Sequence, residues 1–153
     1  MSLFSFKKKR QFFTPEEQQL VVDAIKQAET NTSGEVRVFV EGKCKYVDAV
    51  DRAKEIFVNL HMDKTKDRNA VLLYIALDDQ QLAVFADEGI YQRLGQQYWD
   101  EQVKKMIAAF TKENYAGGIC TVVREIGEAL TAQFPYDKAT DKNELPDEII
   151  FGN

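Results

Sequence analysis

Histidine and cysteine are scarce in this sequence. It has one histidine, His61, and two cysteines, Cys44 and Cys120, which lie far apart. Structural zinc sites and disulfide frameworks need several such residues at short spacings, so neither is expected. A catalytic Cys/His pair would depend on a chance approach of distant residues. Both thiols are therefore predicted to be reduced, as is usual in the cytoplasm.

The sequence also lacks an apolar run long enough to span a membrane. Residues 7–10 are basic, but the apolar stretch that a signal peptide would place after them is missing. Residues 4–13 mix bases with aromatics. The ordinary interpretation of this segment is a frayed arm, and the alternative is peripheral contact with a membrane surface. We expect a cytoplasmic location.

An excess of basic residues is absent too. The net charge of −5 over 153 residues favours solubility and argues against nucleic-acid binding, which needs a basic surface. A chain of this length suits a single domain with one core. We expect a basic and aromatic arm over 1–13, a domain over 14–134 and an acidic tail over 135–153.

Hydrophobic periodicity predicts helices packed on a short mixed sheet. Thr14 followed by Pro15 and Glu17 is typical of a helix start with a capping box. The uninterrupted apolar run 70–77 is typical of a central strand covered on both faces, and it should pair antiparallel with the strand that follows it. The predicted order is helix 14–30, strand 36–40, helix 48–60, strand 70–77, strand 82–86, helix 96–112 and helix 115–134.

The acidic tail has few apolar residues before the trio Ile149, Ile150 and Phe151. Such a composition cannot bury enough apolar surface to order itself. We expect the tail to be mobile unless this trio docks, either on its own domain or on a partner.

Four short sequence words occur in the same order and spacing as in a known family. They are Thr32-Ser33-Gly34-Glu35-Val36-Arg37-Val38, Arg68-Asn69-Ala70-Val71-Leu72, Ala86-Asp87-Glu88-Gly89-Ile90 and Asn114-Tyr115-Ala116-Gly117-Gly118. In these words and in its order of elements, the chain resembles the TPM domain family, named in part for thylakoid-lumen phosphatase-like proteins. The resemblance covers roughly residues 13–134. One departure is Ala70, where the family usually has glycine.

The resemblance implies a three-layer α/β/α sandwich. It also implies divalent-cation binding in acidic loops, as in some members, and a phosphatase activity, as reported for a plant member. Many relatives carry a signal peptide and a C-terminal membrane anchor. This sequence is expected to belong to the stand-alone branch.

Carboxylates are predicted to converge at one edge of the sheet. If helix 48–60 is a right-handed crossover, strands 36–40 and 70–77 are parallel and start at the same edge, where strand 82–86 ends. Close carboxylates repel one another unless a cation offsets them, and hard oxygens suit Ca²⁺ or Mg²⁺. The predicted metal-binding residues are Glu35, Asp63, Asp67, Asp87 and Glu88.

Two other interpretations of this edge stay open. In the first, the acidic residues simply face solvent, neutralised by Lys64, Lys66 and Arg68. In the second, the ligand site lies at the opposite edge, which holds Glu41, Asp78 and Asp79, because open α/β sheets usually bind ligands beyond the carboxyl ends of parallel strands.

These observations favour a Ca²⁺- or Mg²⁺-binding module that acts through an unidentified protein partner. The alternative is a metal-dependent phosphatase in which Arg37 or Arg68 receives the phosphoryl oxygens. No Ser, Thr or Cys stands beside a convincing base, so a dedicated nucleophile is not evident.

Overall fold

The computed structural model describes residues 12–46, 48–136 and 149–152. Its helices and strands follow the predicted order, with a 3₁₀ turn, a short helix and a final strand in addition. The elements are α1 (Pro15–Glu29), β1 (Glu35–Glu41), α2 (Ala49–Asn59), a 3₁₀ turn (Met62–Lys64), β2 (Ala70–Ala76), β3 (Gln81–Ala86), α3 (Glu88–Leu94), α4 (Gln96–Thr111), α5 (Tyr115–Gln133) and β4 (Ile149–Phe151).

The four strands form one mixed sheet in the order β3-β2-β1-β4. β1 runs parallel to both β2 and β4, and β2 and β3 form the predicted antiparallel hairpin. Glu35 lies opposite Ala70, and Val71 lies opposite Ala86. The starts of β1 and β2 therefore share an edge of the sheet with the end of β3.

Helices cover both faces of the sheet, so the predicted three-layer α/β/α sandwich is confirmed. One core lies between the sheet and α1, α4 and α5; the other lies between the sheet and α2. Every residue of β1 and β2 is buried, because both faces of these strands are covered. The strand residues of the first core are Val36, Val38, Val40, Val71, Leu73, Ile75, Ala86 and Ile149, and those of the second are Phe39, Ala70, Leu72, Tyr74, Ala76 and Ala83.

The first helix begins as its sequence predicts. The Thr14 hydroxyl accepts a hydrogen bond from the Glu17 N–H at 3.1 Å, and the Glu17 carboxylate accepts one from the Thr14 N–H at 2.9 Å. This reciprocal capping box satisfies backbone donors that the first turn would otherwise leave unpaired.

Helical spacing alone misplaces three side chains. It would put Val50 and Ile107 on the apolar faces of α2 and α4, but they are 48% and 51% exposed. It would put Arg52 on the polar face of α2, but Arg52 is buried, because it pairs with Glu41 of the sheet. Helix α3 was not predicted at all.

The apolar trio of the tail docks on its own domain. Ile149 lies opposite Val38 in β4, and Ile149 is buried in the first core. Phe13 is buried, and the Phe12 ring stacks on that of Phe151 at 6.1 Å. Two predictions lie outside the described residues: the frayed arm, with membrane contact as its alternative, over 1–11, and the mobility of the acidic stretch 137–148.

Candidate functional site

The predicted acidic residues lie at the edge of the sheet where β1 and β2 start. Glu35 is the first residue of β1, and the Asp87 N–H donates to the Ala70 carbonyl at 2.9 Å. The loop 61–69 leads into β2 at the same edge, because the Glu35 N–H donates to the Asn69 carbonyl. We call this region, made of Glu35, loop 61–69 and residues 87–89, the acidic edge.

Asp87 is held inside the protein by three hydrogen bonds. Its carboxylate accepts two from Arg68, at 2.7 and 2.9 Å, and one from the Glu88 N–H at 2.8 Å, which makes it the N-cap of α3. The side chain is only 5% exposed. Both carboxylate oxygens are thus occupied by a guanidinium and a helix start.

Arg68 carries a positive charge within the acidic edge. Besides Asp87, its guanidinium contacts the Glu88 carboxylate at 3.4 Å, and the field of Asp63 also acts on it. The hydrogen bond with Asp87 and the charges of these carboxylates raise the pKa of Arg68 above its ordinary value. Three of the five predicted carboxylates therefore surround one arginine.

Loop 61–69 also carries buried oxygens without partners. Asp63 Oδ1 and Asn69 Oδ1 are both shielded from solvent, and neither accepts a hydrogen bond among the described residues. The other ends of these side chains are engaged: Asp63 Oδ2 lies 3.7 Å from Lys64 Nζ, and Asn69 Nδ2 donates to Ser33 Oγ at 3.1 Å. An unpaired buried acceptor costs free energy and is uncommon in native proteins.

Asp67 completes this local network. Ser33 Oγ donates to the Asp67 carboxylate at 3.4 Å, so Asp67, Ser33 and Asn69 are linked in series. Asp67 itself is exposed. The fifth predicted residue, Glu35, is buried at the start of β1, only 2% exposed.

Loop 61–69 packs tightly against the start of α3. A Cβ added at Gly89 would lie 2.2 Å from the Asp67 carbonyl oxygen and 2.6 Å from that of Arg68. Two non-glycine residues of the loop, His61 and Arg68, have left-handed backbone, with φ of 58° and 50°. Strained backbone of this kind persists where the surrounding structure fixes it, often at functional sites.

At the opposite edge of the sheet, Arg52 and Glu41 form a buried ion pair. Arg52 donates two hydrogen bonds of 2.9 Å to Glu41, and the Tyr74 hydroxyl donates a third. Burial alone would raise the pKa of Glu41, but the hydrogen bonds from Arg52 and Tyr74 outweigh it and lower that pKa. Asp79, another candidate of this edge, accepts from the Cys44 N–H at 2.7 Å.

The sequence profile of the TPM domain matches residues 7–129, about four-fifths of the chain. The chain belongs to the TPM domain family. The similar BA42 protein from the psychrophilic bacterium Bizionia argentinensis is 39% identical over 95% of this chain and 99% of its own, with a TM-score of 0.85.

Two more distant structures share the fold of this TPM domain. An N-terminal domain from P. gingivalis is 15% identical, covers 80% of this chain and 78% of its own, and has a TM-score of 0.66. An N-terminal domain from Corynebacterium glutamicum is 11% identical, covers 88% and 84%, and has a TM-score of 0.60. A search of curated proteins gives no significant match.

The oxygen atoms of the acidic edge suit a hard cation, but they do not form a complete coordination site. Among the described residues of this TPM domain, no three Asp, Glu, His or Cys side chains lie close enough together to hold an ion. The oxygens on offer are the unpaired ones of Asp63 and Asn69, the exposed Asp67 carboxylate and loop carbonyls. Calcium accepts such mixed oxygen sets, completed by water.

Asn69 and Ser33 were not among the predicted site residues. A search for carboxylates overlooks both, although amide oxygens also bind Ca²⁺. The N-cap role of Asp87 had a signal in the sequence, since Asp before Glu88 is a common helix start. Among the helices that the structure describes, none is long and apolar enough to cross a bilayer.

Proposed function

We propose that this TPM domain binds a divalent cation, Ca²⁺ or Mg²⁺, at the acidic edge. The observation that supports this most is that two buried oxygens of loop 61–69, Asp63 Oδ1 and Asn69 Oδ1, have no hydrogen-bond partner among the described residues. A bound cation would satisfy both oxygens and offset the charge of Asp67 and Glu88.

The cation would have to compete with Arg68. The guanidinium already neutralises Asp87 and contacts Glu88, so a cation near these residues either displaces it or binds on the Asp63 side of the edge. Binding would then rearrange exposed residues of loop 61–69. We propose that the reordered loop is what a cytoplasmic protein partner recognises, which makes the domain a cation-dependent binding module.

A hydrolytic role has less support. Arg68, one candidate to receive a phosphoryl group, is engaged by Asp87, and Arg37, the other, is only 6% exposed within β1. Arg68 is 43% exposed, but its guanidinium is already shared between Asp87 and Glu88.

The experiment is thermal unfolding of the full chain with added Ca²⁺ or Mg²⁺, against NaCl at equal ionic strength. A ligand bound only by the folded state at 100 times its Kd adds about 2.7 kcal/mol, or roughly 5–11 °C in Tm for a chain of this size. Asp63→Asn should remove most of this gain. Asp63 is a cleaner target than Asp87, whose loss would also remove the cap of α3.

The matched control is Asp51→Asn on the exposed face of α2, which changes the charge equally and should keep the gain. A parent Tm that stays constant up to millimolar Ca²⁺ and Mg²⁺ would refute the proposal. An Asp63→Asn variant that gains as much as the parent would place the cation elsewhere.

A further inference from the structure

A cavity of about 390 Å³ lies at the other end of the sheet, away from the acidic edge. It opens between the β2–β3 hairpin and the junction of α4 with α5. Pockets of roughly 300–1,000 Å³ are the usual size for small-molecule sites. Its apolar wall is formed by Ile75, Leu82, Ile107, Phe110 and Tyr115.

The aromatic part of this wall is preformed. The rings of Phe110 and Tyr115 pack edge to face, with centroids 5.0 Å apart and planes at 65°. Ile107 lines the cavity, although it is 51% exposed, which explains why an apolar residue of α4 is not in the core. A flat apolar group has both an edge and a face to pack against here.

Two hydrogen-bond acceptors of the cavity lining are available to a ligand. Gln81 Oε1 is buried and has no partner among the described residues. Glu113 adds a carboxylate to the lining, whereas the Thr111 hydroxyl already donates its proton to the Ile107 carbonyl at 2.8 Å. None of the described residues that line the cavity is Lys, Arg or His. This environment favours a ligand that donates hydrogen bonds and carries positive charge.

The rim is held in unusual backbone conformations. Gln80 and Glu113 both line the cavity, and both have left-handed backbone, with φ of 53° and 58°. The turn at Glu113 is fixed by its N–H, which donates to the Phe110 carbonyl at 2.9 Å. The carboxylate is thus attached to a defined turn at the mouth of the cavity.

We propose that this cavity binds a small organic ammonium ion with an aromatic body. The aromatic group would pack on Phe110 and Tyr115, and the ammonium would donate to Gln81 Oε1 and pair with the Glu113 carboxylate. Cation–π attraction from the same rings adds to this preference. This site is separate from the proposed cation site and does not depend on it.

The test is a titration of the ¹⁵N-labelled full chain with three probes of one shape. 2-Phenylethylammonium carries the positive donor, 2-phenylethanol a neutral donor, and 3-phenylpropionate a negative acceptor. We expect affinity to fall in that order, with amide shifts in 75–82 and 107–115. Equal affinity for the three probes, no shifts at millimolar concentrations, or shifts elsewhere would overturn the proposal.

Two variants locate the contacts. Glu113→Gln should lower the affinity for 2-phenylethylammonium on the order of fivefold or more, since it removes a unit charge near the ion. Gln81→Leu should also lower the affinity for 2-phenylethylammonium, and it should leave the aromatic packing in place. The control Glu101→Gln, on the exposed face of α4, should bind as the parent does. Parent-like affinity in both cavity variants, with unchanged thermal unfolding, would contradict the assignment.

Discussion

Arg68 is the residue on which the charge state of the acidic edge depends. It neutralises Asp87 through a bidentate pair and reaches Glu88, and its backbone is itself left-handed. In the proposed function this guanidinium is an internal competitor of the bound cation. That role distinguishes it from an arginine that only stabilises the fold.

We therefore predict that Arg68→Gln binds Ca²⁺ more tightly than the parent, about fivefold or more, the scale of one unit charge beside the ion in a water-like dielectric. Titration calorimetry measures the change directly. Lys104→Gln, which removes an equal charge from the exposed face of α4, should bind Ca²⁺ as the parent does. A weaker affinity in Arg68→Gln, with the fold intact, would show that Arg68 assists binding.

The second prediction at the scale of single residues concerns the titration of Glu41. Burial opposes its charge, but the bonds from Arg52 and Tyr74 lower its pKa in the folded state below 4.5. In acid the unfolded chain therefore takes up a proton at higher pH than the folded one does. The stability that Glu41 contributes is present above the unfolded pKa and is lost as pH falls through the folded pKa.

The free energy of unfolding in urea should thus fall as pH drops below about 4.5. In Glu41→Gln this part of the pH dependence should flatten, and the variant should be about 1.5–3 kcal/mol less stable at neutral pH, because a bond to a charged acceptor is weakened. Glu101→Gln serves as the exposed control. An acid slope in Glu41→Gln as steep as in the parent would assign the slope to other carboxylates.

At the scale of elements, the short strand β4 closes the open side of β1. Its three residues pair with Val38, Phe39 and Val40. Nearer the start of β1, the Val36 N–H donates a hydrogen bond to the Glu29 carboxylate at 2.7 Å. Phe151 packs against Phe12 and Phe13. Described segments from both ends of the sequence thus meet on one edge strand.

We expect Ile149→Ala to cost about 2–5 kcal/mol, the usual range for truncating a buried isoleucine. Urea unfolding of the full chain gives the value. The control is Ile107→Ala, the same truncation at a half-exposed position, which should stay within about 0.5 kcal/mol. If the two variants lost equal stability, or neither lost any, β4 would not be an integral strand.

The long elements could be predicted because their periodicity is a local property. Helices α1, α2, α4 and α5 and strands β1 to β3 occur within a residue or two of their predicted bounds. Helix α3 spans only seven residues, and β4 only three, so neither carries enough repeats to show a period. The pairing of β4 with β1 is also non-local, and periodicity along the chain cannot report it.

The acidic edge, too, could be predicted only in part from the sequence. Parallel strands and a hairpin put the acidic residues at one edge, which topology alone could predict. The Arg68–Asp87 pair, the cap of α3 and the unpaired oxygens depend on side-chain geometry. Helical spacing misplaces Arg52 for a similar reason: its burial is due to Glu41, which lies on another element.

At the scale of the whole molecule, strained backbone concentrates at the two proposed sites. Among the described residues, four non-glycines have left-handed φ: His61 and Arg68 in the acidic edge, and Gln80 and Glu113 around the cavity. The two sites lie at opposite ends of the sheet, and both are proposed to bind a positively charged ligand, in keeping with a net charge of −5. We infer that metal and ammonium bind independently.

In the proposed function, a divalent cation binds at the acidic edge of this TPM domain. Amide ¹H–¹⁵N spectra of the full chain, titrated with Ca²⁺ and then Mg²⁺, test it most directly because they report position as well as affinity. We predict saturable shifts in 61–69 and 87–89, with little change in 41–46 and 78–81. Shifts confined to the latter residues, or no saturable shift at millimolar cation, would contradict the claim.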